Sequence, residues 1–177
     1  MSKRMTSRPK RFPIYQSNEE NYMSGQNNKV KTKINIFTIG FAKKSASEFF
    51  TKLKEVGAKS VIDVRLNNTS QLAGFTKKQD LEYFLQETVG LGYFHMPDLA
   101  PTKTILDAYK KKDINWSEYE RQFRELMTER NIENLVTPEQ IDGACFLCSE
   151  AKPENCHRRL VAEYLRERWE NVVIHHL

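Results

Sequence analysis

From Ile34 onward the chain alternates short apolar runs of strand length with longer segments of helical periodicity, and that alternation limits the fold more than any other feature. INIFTIG, residues 34–40, is mostly apolar and ends on glycine, as suits a strand buried on both faces. A helix follows. Ser45 with Glu48 three residues on makes a capping box, Ala46, Phe49, Phe50, Leu53 and Val56 share one stripe, and Gly57 is the stop. SVIDVR, residues 60–65, is the second strand. Thr76 with Gln79 predicts another capping box, ahead of a stripe of Leu81, Phe84, Leu85 and Val89 that stops near Gly90. GYFHM, residues 92–96, is the third strand, ended by Pro97.

Residues 102–142 break the alternation with helical character, Ile105 and Tyr109 in one segment and Trp116, Tyr119, Phe123, Leu126 and Met127 in a longer one. GACFLC, residues 143–148, restores it as a fourth strand. A helix carrying Leu160, Val161, Tyr164, Leu165 and Trp169 and a last strand over 172–175 complete the pattern. The expected fold is α/β: a mainly parallel sheet with helices on both faces, right-handed crossovers and a helical insertion before the fourth strand. Residues 34–177 make one domain, since 39% hydrophobic content supports a single core.

The net charge of +5 is unevenly spread. Residues 1–33 hold eight cations against Glu19 and Glu20, a net +6, which leaves −1 for the other 144 residues. The segment is rich in Ser, Asn, Gln and Lys with little apolar periodicity, so it reads as a basic, disordered tail, either a solubilising extension or an arm for nucleic acid. No run approaches the roughly 18 apolar residues of a membrane span, and the amino terminus lacks a secretion signal's apolar centre. A cytoplasmic protein without a membrane partner is expected. Nothing in the sequence sets the oligomeric state.

Parallel sheets carry their chemistry in the loops leaving the carboxyl ends of their strands. Four such exits hold unusual residues here: Gly40-Phe41, then Asp63-Val64-Arg65 opening into Asn67, Asn68, Thr69, Ser70 and Gln71, then His95, and last Cys148-Ser149-Glu150 with Pro153 to Arg159. The motifs FTIG, DVRLNNTSQLAGF, YFHMPDLAPT and LCSEAKPENCHRRLVAEYL resemble those of the domain of unknown function 488 family, from about Ile36 to Leu177. The Cys-x7-Cys-His-Arg block is the specific part. The resemblance implies a compact α/β fold with a polar site and supplies no settled activity. Where the wider family often has Gly-His-Ser, this chain has Gly40-Phe41-Ala42, so no role for a histidine carries over there.

Cys148, His95 and Glu150 are the candidate catalytic groups. A thiol near a helix amino terminus and guanidinium groups has its thiolate favoured, which makes Cys148 a candidate nucleophile or resolving partner and Cys156 a second reactive group. His95 is a candidate acid or base, or a structural histidine bonded to a loop carbonyl. Arg65 and Arg158 are expected to hold an anion, with Asp63, Asn67, Ser70, Cys156 and His157 lining the substrate site. Arg158 and Arg159 sit at the positive end of a helix dipole, so something negative should compensate them, either a bound anion or an internal partner such as Glu150, Asp63 or Glu154.

Cys145, Cys148, Cys156 and His157 superficially resemble a zinc ligand set, but Cys145 and Cys148 are three apart in a strand and point to opposite faces. A site of Cys148, Cys156 and His157 would be open and need another ligand such as His95. No metal and no cofactor is expected, since Walker, dinucleotide and HExxH motifs are all missing from the sequence. The expected partner is an anionic small molecule or nucleotide, with nucleic acid a second candidate through the tail. Two functions remain open: an enzyme on such a substrate, or a non-catalytic phosphate-ligand module.

Overall fold

The computed structural model describes residues 33–69 and 74–177. The expectations for the basic tail and for Ser70 therefore fall outside the described residues, Lys33 excepted.

Five parallel strands, β1 (Ile34–Gly40), β2 (Ser60–Asp63), β3 (Gly92–His95), β4 (Ala144–Cys148) and β5 (Val172–His176), form one sheet in the order β3-β2-β4-β1-β5. The helices are α1 (Ala46–Glu55), α2 (Lys78–Tyr83), α3 (Lys103–Lys110), α4 (Trp116–Glu129), α5 (Pro138–Ile141) and α6 (His157–Arg168). The expected α/β class, parallel sheet and helical insertion are all present. No helix among the described residues is long and apolar enough to cross a membrane.

The strand order fixes which face each helix covers. The steps β1 to β2 to β3 run toward one edge and β3 to β4 to β5 toward the other, so right-handed crossovers place the two sets of helices on opposite faces. Phe49 and Leu53 of α1, with Leu81 and Leu85, pack on Ile39, Val61, Tyr93, Cys145 and Leu147. On the other face α6 lies on β4, β1 and β5, with α4 against α6. Residues paired in a parallel ladder point the same way, so Thr38, Phe146 and Cys148 face α6 while Cys145 and Leu147 face α1. The chains leaving β1 and β4, which are neighbours, depart to opposite faces, and the crevice between their carboxyl ends is the topological switch point.

The Ser45 capping box forms, with Glu48 N–H on Ser45 Oγ at 3.2 Å and the Glu48 carboxylate on the Ser45 N–H at 2.7 Å. The Thr76 box does not. Thr76 closes a 3-10 turn, its carbonyl accepts from Arg65 Nη2 at 2.9 Å, and α2 starts two residues later from Lys77, which has no side-chain cap bond. The same helix then widens into a π-helical stretch, Phe84–Val89, before Gly90 ends it at φ 72°. β2 is shorter than SVIDVR suggests, because the Asp63 carboxylate takes the Arg65 N–H at 3.2 Å and removes it from the ladder.

Candidate functional site

Cys148 is the last residue of β4 and its Sγ lies 3.5 Å from Nδ1 of His157, the first residue of α6. His157 Nε2 is 2.8 Å from the Val64 carbonyl, which can only accept, so Nε2 carries the hydrogen and Nδ1 presents its lone pair to the thiol. Phe123 of α4 holds the ring edge-on, with centroids 6.1 Å apart. Both groups are buried: Cys148 is 3% and His157 8% exposed.

Cys156, the N-cap of α6, completes the cluster, and Sγ of Cys148, Sγ of Cys156 and a ring nitrogen of His157 all lie within 4.8 Å of one another. Burial pushes the Cys148 thiol up, but the Cys156 thiol, the backbone N–H groups of Glu150 and Ser149 and the Arg158 charge act against it and hold it below its ordinary value. Cys156 is driven the opposite way, first by its hydrogen bond to Cys148, then by burial. The two thiols titrate as a coupled pair in which negative charge is favoured on Cys148 over Cys156. Burial alone raises Cys145, which packs among apolar side chains on the other face.

Arg158 makes this cluster possible from beneath. It is fully buried, and its Nη1 donates to the Glu150 carbonyl at 2.6 Å and to Cys156 Sγ at 3.1 Å, with Nη2 3.4 Å from the Ala151 carbonyl. The guanidinium expected to grip an anion thus holds the start of the loop, at Glu150 and Ala151, and it acts on the thiols as a fixed positive charge. Its compensation is neither Glu154 nor Asp63 but carbonyl oxygens and sulfur. Arg159 pairs with Glu163 at 3.0 Å and lies 3.6 Å from Glu120. Lys44 adds to the positive surroundings, its own pKa lowered by burial and by Arg158. Gly40 is the close-packed neighbour: a Cβ there would stand 1.6 Å from the Glu150 oxygen and 3.0 Å from Arg158 Nη1.

Asp63, Arg65 and His95 form a second cluster on the opposite face of the sheet, near enough that a Cys148 charge still raises the Arg65 pKa. On the α1 face Asp63 takes Arg65 bidentately, at 2.7 Å from Nε and 2.6 Å from Nη2, and accepts Tyr93 OH at 2.7 Å. Asn68 Nδ2 donates to that hydroxyl at 3.0 Å. Asp63 is fully buried and Arg65 4% exposed, so the pair is a buried ion pair, stacked under Phe41 with 5.2 Å from guanidinium carbon to ring. Asn67 is exposed, and its neighbour Asn68 does the bonding. His95 Nε2 meets the Arg65 carbonyl at 2.8 Å, the structural alternative considered for it. His95 and His157 therefore bond successive carbonyls, Arg65 and Val64, from opposite faces.

Glu150 is exposed, and its main chain rather than its carboxylate serves the site. His175 lies on an edge strand, against Phe37 and 3.1 Å from Asn35 Oδ1. Of the ten residues singled out, the fold brings together Cys148, Cys156, His157, Arg158 and the Glu150 backbone. Sequence reasoning gave His157 a lining role and His95 the proton chemistry. It is His157, not His95, that the fold sets beside Cys148, and the signal was present: a histidine opening a helix after a strand-end cysteine is nearer to it than one two strands away. Tyr119 went unremarked as a site residue. It is 2% exposed, and burial followed by the Cys148 and Cys156 charges raises its hydroxyl.

Cys148, Cys156 and His157 offer three of the four donors of a tetrahedral zinc site. His95, the further ligand considered, is committed to Arg65. A guanidinium 3.1 Å from one sulfur and a helix amino terminus beneath the other two donors make the place electropositive, which suits a bare thiolate better than a dication.

No curated protein and no solved structure matches this chain. The family model described as domain of unknown function DUF488 matches residues 45–165, from the cap of α1 to the middle of α6, and so covers most of the folded region including both thiols and His157. The chain belongs to the DUF488 family.

Proposed function

We propose that the protein is a thiol-dependent enzyme acting on a small anionic substrate, with Cys148 as nucleophile and His157 as its proton partner. The observation that carries this reading is the Cys148 Sγ to His157 Nδ1 approach of 3.5 Å, with Nε2 fixed on Val64. A nucleophile, a base within reach and a third group orienting that base form the arrangement expected of an activated thiol. Nδ1 takes the Cys148 proton, the thiolate attacks, and the imidazolium returns the proton to the leaving group. The Ser149 and Glu150 N–H groups and Arg158, which favour negative charge on sulfur, are equally placed to favour charge developing on a bound electrophile. The same surroundings favour an anion. A thiol only 3% exposed admits a small molecule and not a polymer.

Alkylation of the reduced, full-length protein tests this. Iodoacetamide at neutral pH is expected to label Cys148 at least about tenfold faster than Cys145, and His157→Asn to slow that labelling by removing the proton acceptor. Iodoacetate, the anionic reagent, should be favoured over iodoacetamide relative to its performance on free cysteine. Equal labelling of Cys148 and Cys145, or no response to His157→Asn, overturns the nucleophile; a normal reagent ratio overturns the anionic substrate alone.

A further inference from the structure

The dyad leaves Cys156 without a task, although it is a buried thiol within 4.8 Å of the nucleophile and takes a 3.1 Å hydrogen bond from a buried guanidinium. We propose that Cys156 is the resolving thiol of Cys148, so that the site reduces a small hydroperoxide and closes as a Cys148–Cys156 disulfide. The proposal rests on the reading of Cys148 as nucleophile.

The Cys148 thiolate attacks one oxygen of ROOH: an S–O bond forms, the O–O bond breaks, and the alkoxide leaves with the proton held on His157 Nδ1, giving ROH and a Cys148 sulfenic acid. Cys156 then passes its proton to His157 and attacks the Cys148 sulfur. The S–S bond forms, the S–O bond breaks, and hydroxide leaves as water with that proton. Two thiols lose two electrons, and the peroxide gains them.

Three observations support this order of events. Cys156 is the only other cysteine in reach, since Cys145 faces the opposite side of the sheet. While Cys148 is a thiolate, its hydrogen bond and its charge keep Cys156 protonated, together with burial. Once Cys148 is a neutral sulfenic acid its charge is gone, and His157 and Arg158, which act in the other direction, remain. Deprotonation of Cys156 is thus less opposed after Cys148 has reacted, with burial still acting against it. The seven residues between the two cysteines give the slack that a bond of about 2.05 Å requires; Lys152, Glu154 and Asn155 among them are exposed. Thiols this buried also suit a small oxidant.

The test uses reduced full-length protein with one equivalent of hydrogen peroxide. Thiols counted after denaturation should fall from three to one, peptide mapping should find Cys148 joined to Cys156, and dithiothreitol should restore all three. Cys156→Ser should instead accumulate a Cys148 sulfenic acid trapped by dimedone, and Cys148→Ser should keep its remaining thiols. A trapped sulfenic acid in the wild type without the disulfide overturns the resolving role while the nucleophile stands. Peroxide that leaves Cys148 unmodified overturns the peroxide reduction, and iodoacetamide labelling of the same protein decides whether the nucleophile stands. If Cys156→Ser does not fold, the wild-type mapping and Cys156→Ala still decide the matter.

Discussion

Gly40→Ala is the sharpest probe of the loop that carries the thiols. The new Cβ would lie 1.6 Å from the Glu150 oxygen, whereas real contacts stay beyond 3.0 Å, so the carbonyl must retreat by at least about 1.4 Å, the difference of the two. That movement breaks the 2.6 Å bond from Arg158 Nη1. A charge-assisted hydrogen bond contributes about 1.5–3 kcal/mol, and overpacking a close-packed site costs about 1–3 kcal/mol. Relaxation lets the two overlap, so a loss of roughly 2–5 kcal/mol is expected, which lowers Tm by some 4–20 °C in a chain of this length. Urea unfolding and thermal scans give the loss, and iodoacetamide labelling gives its local consequence: Cys148, deprived of the Ser149 and Glu150 N–H groups at their present positions, should react more slowly. Gly74→Ala is the control, since nothing among the described residues lies within 4 Å of a Cβ there. Gly40→Ala within about 1 kcal/mol of wild type, the lower edge of these costs, and with unchanged labelling would refute the reasoning.

Asp63→Asn keeps the shape but leaves Arg65 charged and buried without its carboxylate, so urea unfolding should show a loss of about 3–5 kcal/mol; a loss under about 1 kcal/mol, the scale of a surface pair, would contradict the buried-pair reading. Arg158→Lys places one ammonium where a fork serves Glu150, Cys156 and Ala151, and should cost about 1.5–3 kcal/mol and slow Cys148 labelling; a variant that melts and reacts like wild type would remove Arg158 from the site. The folded Cys148 pKa lies below its unfolded value, so the unfolded chain binds the extra proton between the two. Its stabilisation is therefore complete above the unfolded thiol pKa and lost as pH falls through the folded one. The stability gap between wild type and Cys148→Ser should widen as pH rises through that window, and a gap independent of pH would show that Cys148 is not held as a thiolate.

Legibility of the fold in the sequence followed periodicity and local chemistry. β1 matches the reading residue for residue and α1 starts at the expected Ser45 cap and ends one residue short of the Val56 stripe position, because a capping box and an apolar stripe depend on neighbours three and four positions apart. Thr76 carried the same local signal and failed, because Arg65, eleven residues earlier, takes its carbonyl. The opposition of Cys145 and Cys148 also followed from strand alternation alone.

What the sequence determined by itself is the element order, the parallel sheet and the concentration of Cys, His and Arg at the strand ends. The tertiary structure decided which of them meet. Strand order put β4 between β1 and β2, so Cys148 found His157 and Gly40 rather than His95. The Asp63–Arg65 pair stands on the opposite face of the sheet from Cys148, within its electrostatic reach but bonded elsewhere. Arg158 could be read as a ligand-binding cation because charge is a property of the residue. Whether its guanidinium faces a ligand or the carbonyls of its own loop depends on burial, a property only the assembled sheet, helix and loop possess.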